Sequence, residues 1–422
     1  MNDSLLLNHI FNSCNKLIHS EYYKIAYRIG NAFTRSRKLS FSNTIYFILG
    51  SSKKALSSNL ADFRDSNPTL RFPQLSRQAF SKARAGIHFE AFQELFRLSA
   101  NSFYHFSSTI NKWKNHVILA VDGTSLQLPD TSENRNTFGF IKNQHSPGRA
   151  ICSASILYDV LNDVIIDGTL ARYGFSERKL ALKHLTALSC LDSFPSSILT
   201  FDRGYPSQEI FHELDRYGLK FVIRVASSFK ISNKISSPDS LLTNTFHNKT
   251  ITLRCINLTL SSGLKEQLLT NLLDSSFTIP DFSELYFLRW GVEVKYKELK
   301  SRLQIEEFTG NRPSSIMQDF YASLFFSNLV SLAKRCSDSC IKNDLSAAFP
   351  QKQYQTNRSF LISRMRHFLI NLFIHKKNRL YLIERIINEA KKVRSQIIPD
   401  RNCERKAHLF QKKHYKNMKT CL

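Results

Sequence analysis

The sequence predicts a mixed α/β protein, with helices packed on a central sheet, an inserted β-rich subdomain and helical ends. Two observations carry this. Short apolar runs, HVILAVDG (116–123) and SSILTF (196–201), have the length of fully buried strands and alternate with helix-like segments. Between 227 and 275 that alternation gives way to Ser, Asn and Lys turns and β-leaning runs such as TITLRCINLTL (250–260).

Taken in order, residues 1–110 carry apolar residues at three- and four-residue spacing and read as helical. Ser76 has the chemistry of an N-cap for RQAFSKARAG, which Gly86 can end. That short helix presents Arg77, Gln78, Ser81, Lys82 and Arg84, which suits a groove-reading helix and equally a solvated one. After the strand ending at Asp122-Gly123, RAICSASILYDVLNDVIIDGTLA (149–171) reads as two β-rich segments about an Asn162-Asp163 turn. A helix at 176–188, a strand ending at Asp202-Arg203-Gly204, a helix at 207–218 and a strand at 219–226 complete the first part of the core. Beyond the insertion come a helix at 281–304 and the strongly apolar helix IMQDFYASLFFSNLVSLAKR (316–335), expected to pack on the core. The tail is helical and basic to about 395, then poor in apolar residues. No internal repeat is visible.

The 422 residues suffice for two or three domains. A formal charge of +25 and a pI near 9.8 favour a polyanionic partner, nucleic acid before an anionic membrane surface. Residues 361–422 hold sixteen Lys/Arg against four Asp/Glu, which suits either DNA anchors or a solvated tail. No stretch reaches eighteen apolar residues and the start is no signal peptide, so no membrane is expected. The eight cysteines are scattered, with no zinc-site spacing, as for idle thiols in a reducing cytoplasm.

The helix at 281–304 organises the rest. At 100° per residue from Tyr286, Arg289 falls at about −60°, Glu293 at about −20° and Lys300 at about −40°. Leu285, Leu288, Val292, Leu299 and Leu303 lie beside them, at roughly −100° to −160°. Four polar residues thus line the edge of a buried face over about 21 Å, a length suited to a polyanionic strand. A surface ion pair of Glu293 with Lys297 is the ordinary alternative. Trp290 could stack on a base, although a core position fits its angle slightly better.

Asp122 and Asp202 share a context: each ends an apolar strand, and glycine follows at once or one residue later. Two such strands in one sheet can bring the carboxylates together, and Glu293 can supply a third. Three converging acids require a cation, and Mg²⁺ suits oxygen ligands and phosphates. Either aspartate alone reads as a turn residue, as do Asp130, Asp159, Asp163, Asp167 and Asp192.

With these residues in place, the chain resembles the DDE transposases of the insertion-sequence-four family. The matching residues are VDGT (121–124), TFDRGYP (200–206) and the run Tyr286-x2-Arg289-x3-Glu293-x6-Lys300, which keeps every spacing of the family's Y-x2-R-x3-E-x6-K signature. LLTNLLD (268–274) and EEFTGNRPSSIMQDFYA (306–322) resemble its flanks, and the likeness covers roughly 76–335. The resemblance implies a ribonuclease-H-like core with a β insertion between Asp202 and Glu293. It implies Asp122, Asp202 and Glu293 as catalytic, metal-binding residues, and Tyr286, Arg289 and Lys300 as DNA contacts. Two Mg²⁺ ions are expected, with Mn²⁺ as a substitute. The expected partners are double-stranded DNA, both terminal inverted repeats and target, and a second copy of the chain on that DNA.

The domains then read as a helical N-terminal DNA-binding region (1–110), the core's first part (111–226), a β-rich insertion (227–275), the core's second part with the Glu293 helix (276–335) and a basic helical C-terminal region (336–422). A repeat-binding regulator without chemistry, a metal-dependent nuclease without strand transfer and a basic RNA-binding protein are the competing readings. The last leaves the three acids unexplained.

Overall fold

The structure, a computed structural model, describes the chain except for residues 36, 144–145, 190, 192–193, 227, 233–234, 260–262, 264, 346–352 and 399–422. The extreme tail, Asp192 and three of the eight cysteines therefore lie outside the described residues. The others, Cys14, Cys152, Cys255, Cys336 and Cys340, are free thiols.

Helices α1 (Asp3–Ile18), α2 (Glu21–Tyr27), α3 (Phe41–Gly50), α4 (Leu56–Ser66), α5 (Arg77–Arg84) and α6 (Glu90–Phe106) come first. Strand β1 (Val117–Gln127), helix α7 (Ser132–Phe138) and strands β2 (Phe140–Asn143), β3 (Ser146–Asp159) and β4 (Val164–Arg172) follow. Then come α8 (Glu177–Ser189), β5 (Ser197–Phe201), α9 (Gln208–Arg216), β6 (Lys220–Val225), β7 (Asp239–Phe246), β8 (Lys249–Thr259) and β9 (Lys265–Thr270). Helices α10 (Ile279–Leu288), α11 (Gly291–Ser301) and α12 (Pro313–Leu345) lead to β10 (Gln353–Thr356), α13 (Arg358–Ile374), α14 (Arg379–Lys392) and β11 (Arg394–Ile397).

The chain forms two compact units. One comprises Thr109–Gln127 and Phe138–Glu298. Its described strands make one sheet in the order β2-β3-β1-β5-β6-β9-β8-β7, with β4 also paired to β3. The first three long strands run antiparallel, while β5 and β6 lie parallel to β1 and to each other. That central parallel trio is buried on both faces, which explains the continuous apolar runs of β1 and β5. This is the expected mixed α/β core, with a central sheet of parallel and antiparallel strands. The β-rich stretch continues the same sheet, since β9 pairs antiparallel with β6. Ser207 caps α9 by accepting from the Ile210 amide, and Gly218 ends the following turn at φ +64°. Under α10, Ile118, Ile198, Val222, Ile256 and Leu268 meet Phe282, Leu285 and Tyr286 in one apolar cluster.

The other unit comprises Met1–Ser108, Leu128–Thr137 and Leu299–Leu422, and its described residues are mainly helical, with β10 and β11 paired as a two-stranded sheet. The apolar stretch at 316–335 lies within α12, which packs against α1, α3, α6, α13 and α14 of this unit. Among the described residues, no helix is long and apolar enough to cross a membrane. Ser76 caps α5 as expected, accepting from the Ala79 amide. Arg77, Gln78, Ser81 and Lys82 are exposed on α5, but Arg84 is not. Its guanidinium is buried and bonded to Thr309, Ser315, Gln318 and Asp319, which corrects its place on a groove-reading face.

Candidate active site

The parallel pairing of β1 with β5 sets Ala120 opposite Thr200. Two residues further on, Asp122 and Asp202 therefore occupy neighbouring positions, on the face that carries Ile118 and Ile198 into the cluster under α10. Asp202 directly follows the last residue of β5, as expected. Asp122 does not end its strand. β1 continues to Gln127 because β3 goes on pairing with it, Asp122 opposite Ile156 and Gly123 opposite Ser155. Asp122 thus sits where β1 outruns its parallel neighbour, which opens the sheet on the β5 side.

The expected helix at 281–304 is two helices. Arg289 and Trp290 form a tight turn, their amides reaching back to Tyr286 and Phe287. At Gly291 a Cβ would lie 3.3 Å from Val160 Cβ, so this close approach favours glycine. At the break Trp290 is 46% exposed, beside exposed Phe287 and Val294, while Leu285, Val292, Leu299 and Leu303 are buried on the face the sequence predicts. Trp290 is therefore not a core residue.

The polar residues of this turn reach the strand ends. The Tyr286 hydroxyl donates to Asp202 Oδ1 (3.2 Å), and Arg289 donates to Glu293 Oε1 (2.9 Å) in the first turn of α11. Glu293 therefore pairs with Arg289 four residues before it. The Arg289 guanidinium is buried, 5.4 Å from the Tyr286 ring centroid and 5.9 Å from that of Trp290. Burial opposes its charge, but Tyr286, Asp202 and Glu293 more than offset this and raise its pKa. Lys300 lies in the last turn of α11, in the stretch that belongs to the helical unit.

Asp122 has its pKa raised to about 6, chiefly by burial. The Gly123 amide and Arg289 pull it down, while Glu293 and Glu177 push it up. The arrangement thus brings the fields of Asp122, Asp202 and Glu293 together around Arg289, with an excess of acid at Asp122. Among the described residues, no three His, Cys, Asp or Glu side chains stand as a ready-made metal cage. The oxygen-only donors, the destabilised Asp122 carboxylate and the buried Tyr205 hydroxyl, which has no partner among the described residues, still fit a hard divalent cation.

Two features were not legible in the sequence. Glu177, read only as part of a helix start, faces both glycines that follow the aspartates. The other is a network behind Asp122. Its carbonyl accepts from Tyr296 (2.9 Å) and from Ser155 Oγ (3.2 Å), Ser155 Oγ lies 2.9 Å from His184 Nε2, and His184 Nδ1 lies 2.7 Å from Asp167 Oδ2. Asp167, expected in a turn, is thus a buried β4 residue held by a helix histidine. By contrast, Asp163 occupies its turn at φ +58°, and Asp159 caps the Leu161 and Asn162 amides. The Ser155–His184–Asp167 order has the look of a nucleophile triad, but Ser155 and His184 are almost wholly buried and the chain of bonds ends on a backbone carbonyl. It acts as a brace for the Asp122 segment. His184→Ala should cost about 1–3 kcal/mol in chemical denaturation, because Asp167 is left buried without this partner. An unchanged midpoint would remove the brace from the account.

The model of the transposase DDE domain family matches residues 113–329, half of the chain. The chain is 23% identical over 280 residues to transposase InsG for insertion sequence element IS4 of Escherichia coli (strain K12), a match covering 61% of each. The chain thus spans about three-fifths of that curated relative's length. It is also similar to the cryo-EM structure of the piggyBac transposase synaptic complex with hairpin DNA, with a TM-score of 0.47, 14% identity and coverage of 92% of this chain and 85% of that one. Family match and residue pattern coincide: the chain belongs to the transposase DDE domain family.

Proposed function

We propose that the chain is a DNA transposase that binds the terminal inverted repeats of an insertion sequence, cleaves at their ends and joins the freed 3′-hydroxyl to target DNA. The reading is carried by one observation. Asp122, Asp202 and Glu293, far apart in sequence, share one electrostatic neighbourhood with Tyr286 and Arg289, in the order and spacing of the family signature.

Asp122, Asp202 and Glu293 would hold the divalent cations, two Mg²⁺ with Mn²⁺ as a substitute. Such ions supply activation of a water or 3′-hydroxyl and stabilisation of the leaving oxygen. Tyr286 orients the Asp202 carboxylate through its hydroxyl. Arg289 holds Glu293 and places a buried positive charge beside the phosphate path, and Lys300 is the remaining DNA contact that the signature implies. The charge of +25 makes DNA binding steeply salt-dependent, and a homodimer on paired ends is the working form. A repeat-binding regulator without chemistry is the second reading. It takes its support from the Arg289–Glu293 ion pair, which engages the third carboxylate.

The deciding experiment follows a labelled duplex carrying the element's terminal repeat, with Mg²⁺, Mn²⁺ or EDTA, using the parent protein and Glu293→Gln. The expected result is metal-dependent nicking at the repeat end, reduced on the order of 10²-fold or more in the variant while DNA binding persists. Repeat binding without cleavage under any metal, in both proteins, leaves the regulator.

A further inference from the structure

We propose that Glu177 is a fourth acidic ligand of this site, donating a carboxylate oxygen to a divalent cation held by Asp122 and Asp202. The inference rests on the metal-dependent reading above and extends it to a residue outside the three signature acids. Gly123 follows Asp122 directly and Gly204 follows Asp202 one residue later, yet neither has a positive φ. Left-handed backbone is therefore not what favours glycine at these two positions. What they share is Glu177: a Cβ at 123 would lie 3.0 Å from Glu177 Oε1, and one at 204 would lie 3.6 Å from Oε2. The two oxygens thus rest against the two segments that carry the aspartates, and at 123 the missing side chain is the room the carboxylate occupies.

The surroundings hold Glu177 there. It is the first residue of α8, and Arg178 Nε donates to the Gly204 carbonyl (3.2 Å), which ties the helix start to the turn after Asp202. A glutamate opening a helix is ordinary on its own, since the helix dipole favours it. A second observation points to a ligand. The Tyr205 side chain is 1% exposed, and its hydroxyl has no hydrogen-bond partner among the described residues. Asp122, Glu177 and Asp202 all act electrostatically on that phenol, with Arg289 acting against them, so the three carboxylates lie within its reach. A buried hydroxyl without a partner, in the field of three acids, is suited to a cation-bound water, and hard cations of the Mg²⁺ type retain several waters while taking carboxylate oxygens. Glu177 is exposed, so its carboxylate can adjust to a cation without moving the sheet.

The test is Mn²⁺ binding to the full-length chain without DNA, followed by electron paramagnetic resonance of free Mn²⁺. Asp122→Asn serves as a loss control and Glu209→Gln, an exposed acid in the first turn of α9, as a neutral one. Glu177→Gln should weaken Mn²⁺ binding about 10–100-fold. Its metal-free unfolding should match the parent's, and Glu177→Asp should recover part of the affinity. Mn²⁺ affinity unchanged in Glu177→Gln but lowered in Asp122→Asn overturns the role of Glu177 and leaves the proposed function intact. No Mn²⁺ binding by the parent overturns both. A Glu177→Gln protein that loses metal only because it no longer folds is recognised by its circular dichroism. Glu177→Asp then decides, with parental affinity in a folded protein supporting the ligand and affinity as low as Asp122→Asn overturning it.

Discussion

Asp122→Asn should unfold at a higher temperature than the parent at pH 8 without divalent cations, and should no longer cleave DNA. Burial, with help from Glu293 and Glu177, raises the Asp122 pKa from 3.8 to about 6. The folded protein therefore holds this proton more tightly than the unfolded chain does. The stability it contributes is complete below about pH 4 and is lost as pH rises through about 6. At pH 8 the ionised carboxylate costs on the order of 3 kcal/mol, at 1.36 kcal/mol per pKa unit. Asparagine has the same shape and no charge to bury, so it removes that cost. Thermal melts at pH 4, 6 and 8 should show a gap between variant and parent that opens with pH. Adding Mg²⁺ should raise the parent's melting temperature and leave the variant's unchanged. A gap of the same size at every pH would mean that burying the ionised Asp122 carboxylate costs the fold nothing. The same field predicts that metal binding by the parent weakens below about pH 6, where Asp122 takes up its proton.

That buried carboxylate marks what could and could not be read from the chain. Asp122, Asp202 and Glu293 stand out because each combines a local pattern with a fixed spacing, and the strands and helices that carry them are strongly periodic. Asp-Gly, however, signals a turn only when nothing pairs beyond it. β3 pairs through Gly123 as far as Gln127, and no local pattern reports a partner strand. The interrupted helix is a similar case. Apolar spacing over 281–304 fits one continuous helix, whereas the break falls where Gly291 lies against Val160, about 130 residues earlier in the chain, a contact that no local spacing reports. Glu177 reads as an ordinary helix start, and its only outward sign is two glycines whose backbone does not require glycine. Asp167 looked like the other turn aspartates because the histidine that holds it arrives on a different element.

Arg84→Ala should be among the most destabilising single changes in the helical unit, at about 3–5 kcal/mol. The guanidinium is 3% exposed and uses its fork fully: Nε to Gln318, one terminal nitrogen to Thr309, the other to the Ser315 carbonyl and Asp319, all at 2.7–2.8 Å. Asp319 is as deeply buried and also accepts from the Thr309 amide and hydroxyl. Burial pushes its pKa up, but Arg84, Lys53 and Thr309 outweigh that and hold it below the ordinary carboxylate value. The stability this carboxylate adds is therefore present above about pH 4 and is lost on acidification below it. Removing Arg84 leaves a buried anion with two donors from one threonine, which is the costly half of a broken ion pair. Arg84→Lys should recover only part of the loss, because an ammonium cannot reach four acceptors in the plane that a guanidinium spans. Denaturant unfolding of Arg84→Ala, Arg84→Lys and Asp319→Asn measures these differences directly. The same variants separate structure from DNA contact. A phosphate ligand would lower the salt slope of DNA binding by about one when removed, whereas an internal staple leaves the slope of any folded variant unchanged. If Arg84→Lys binds with the parent's slope at reduced stability, the exposed Arg77 and Lys82 are the α5 cations left to test against DNA.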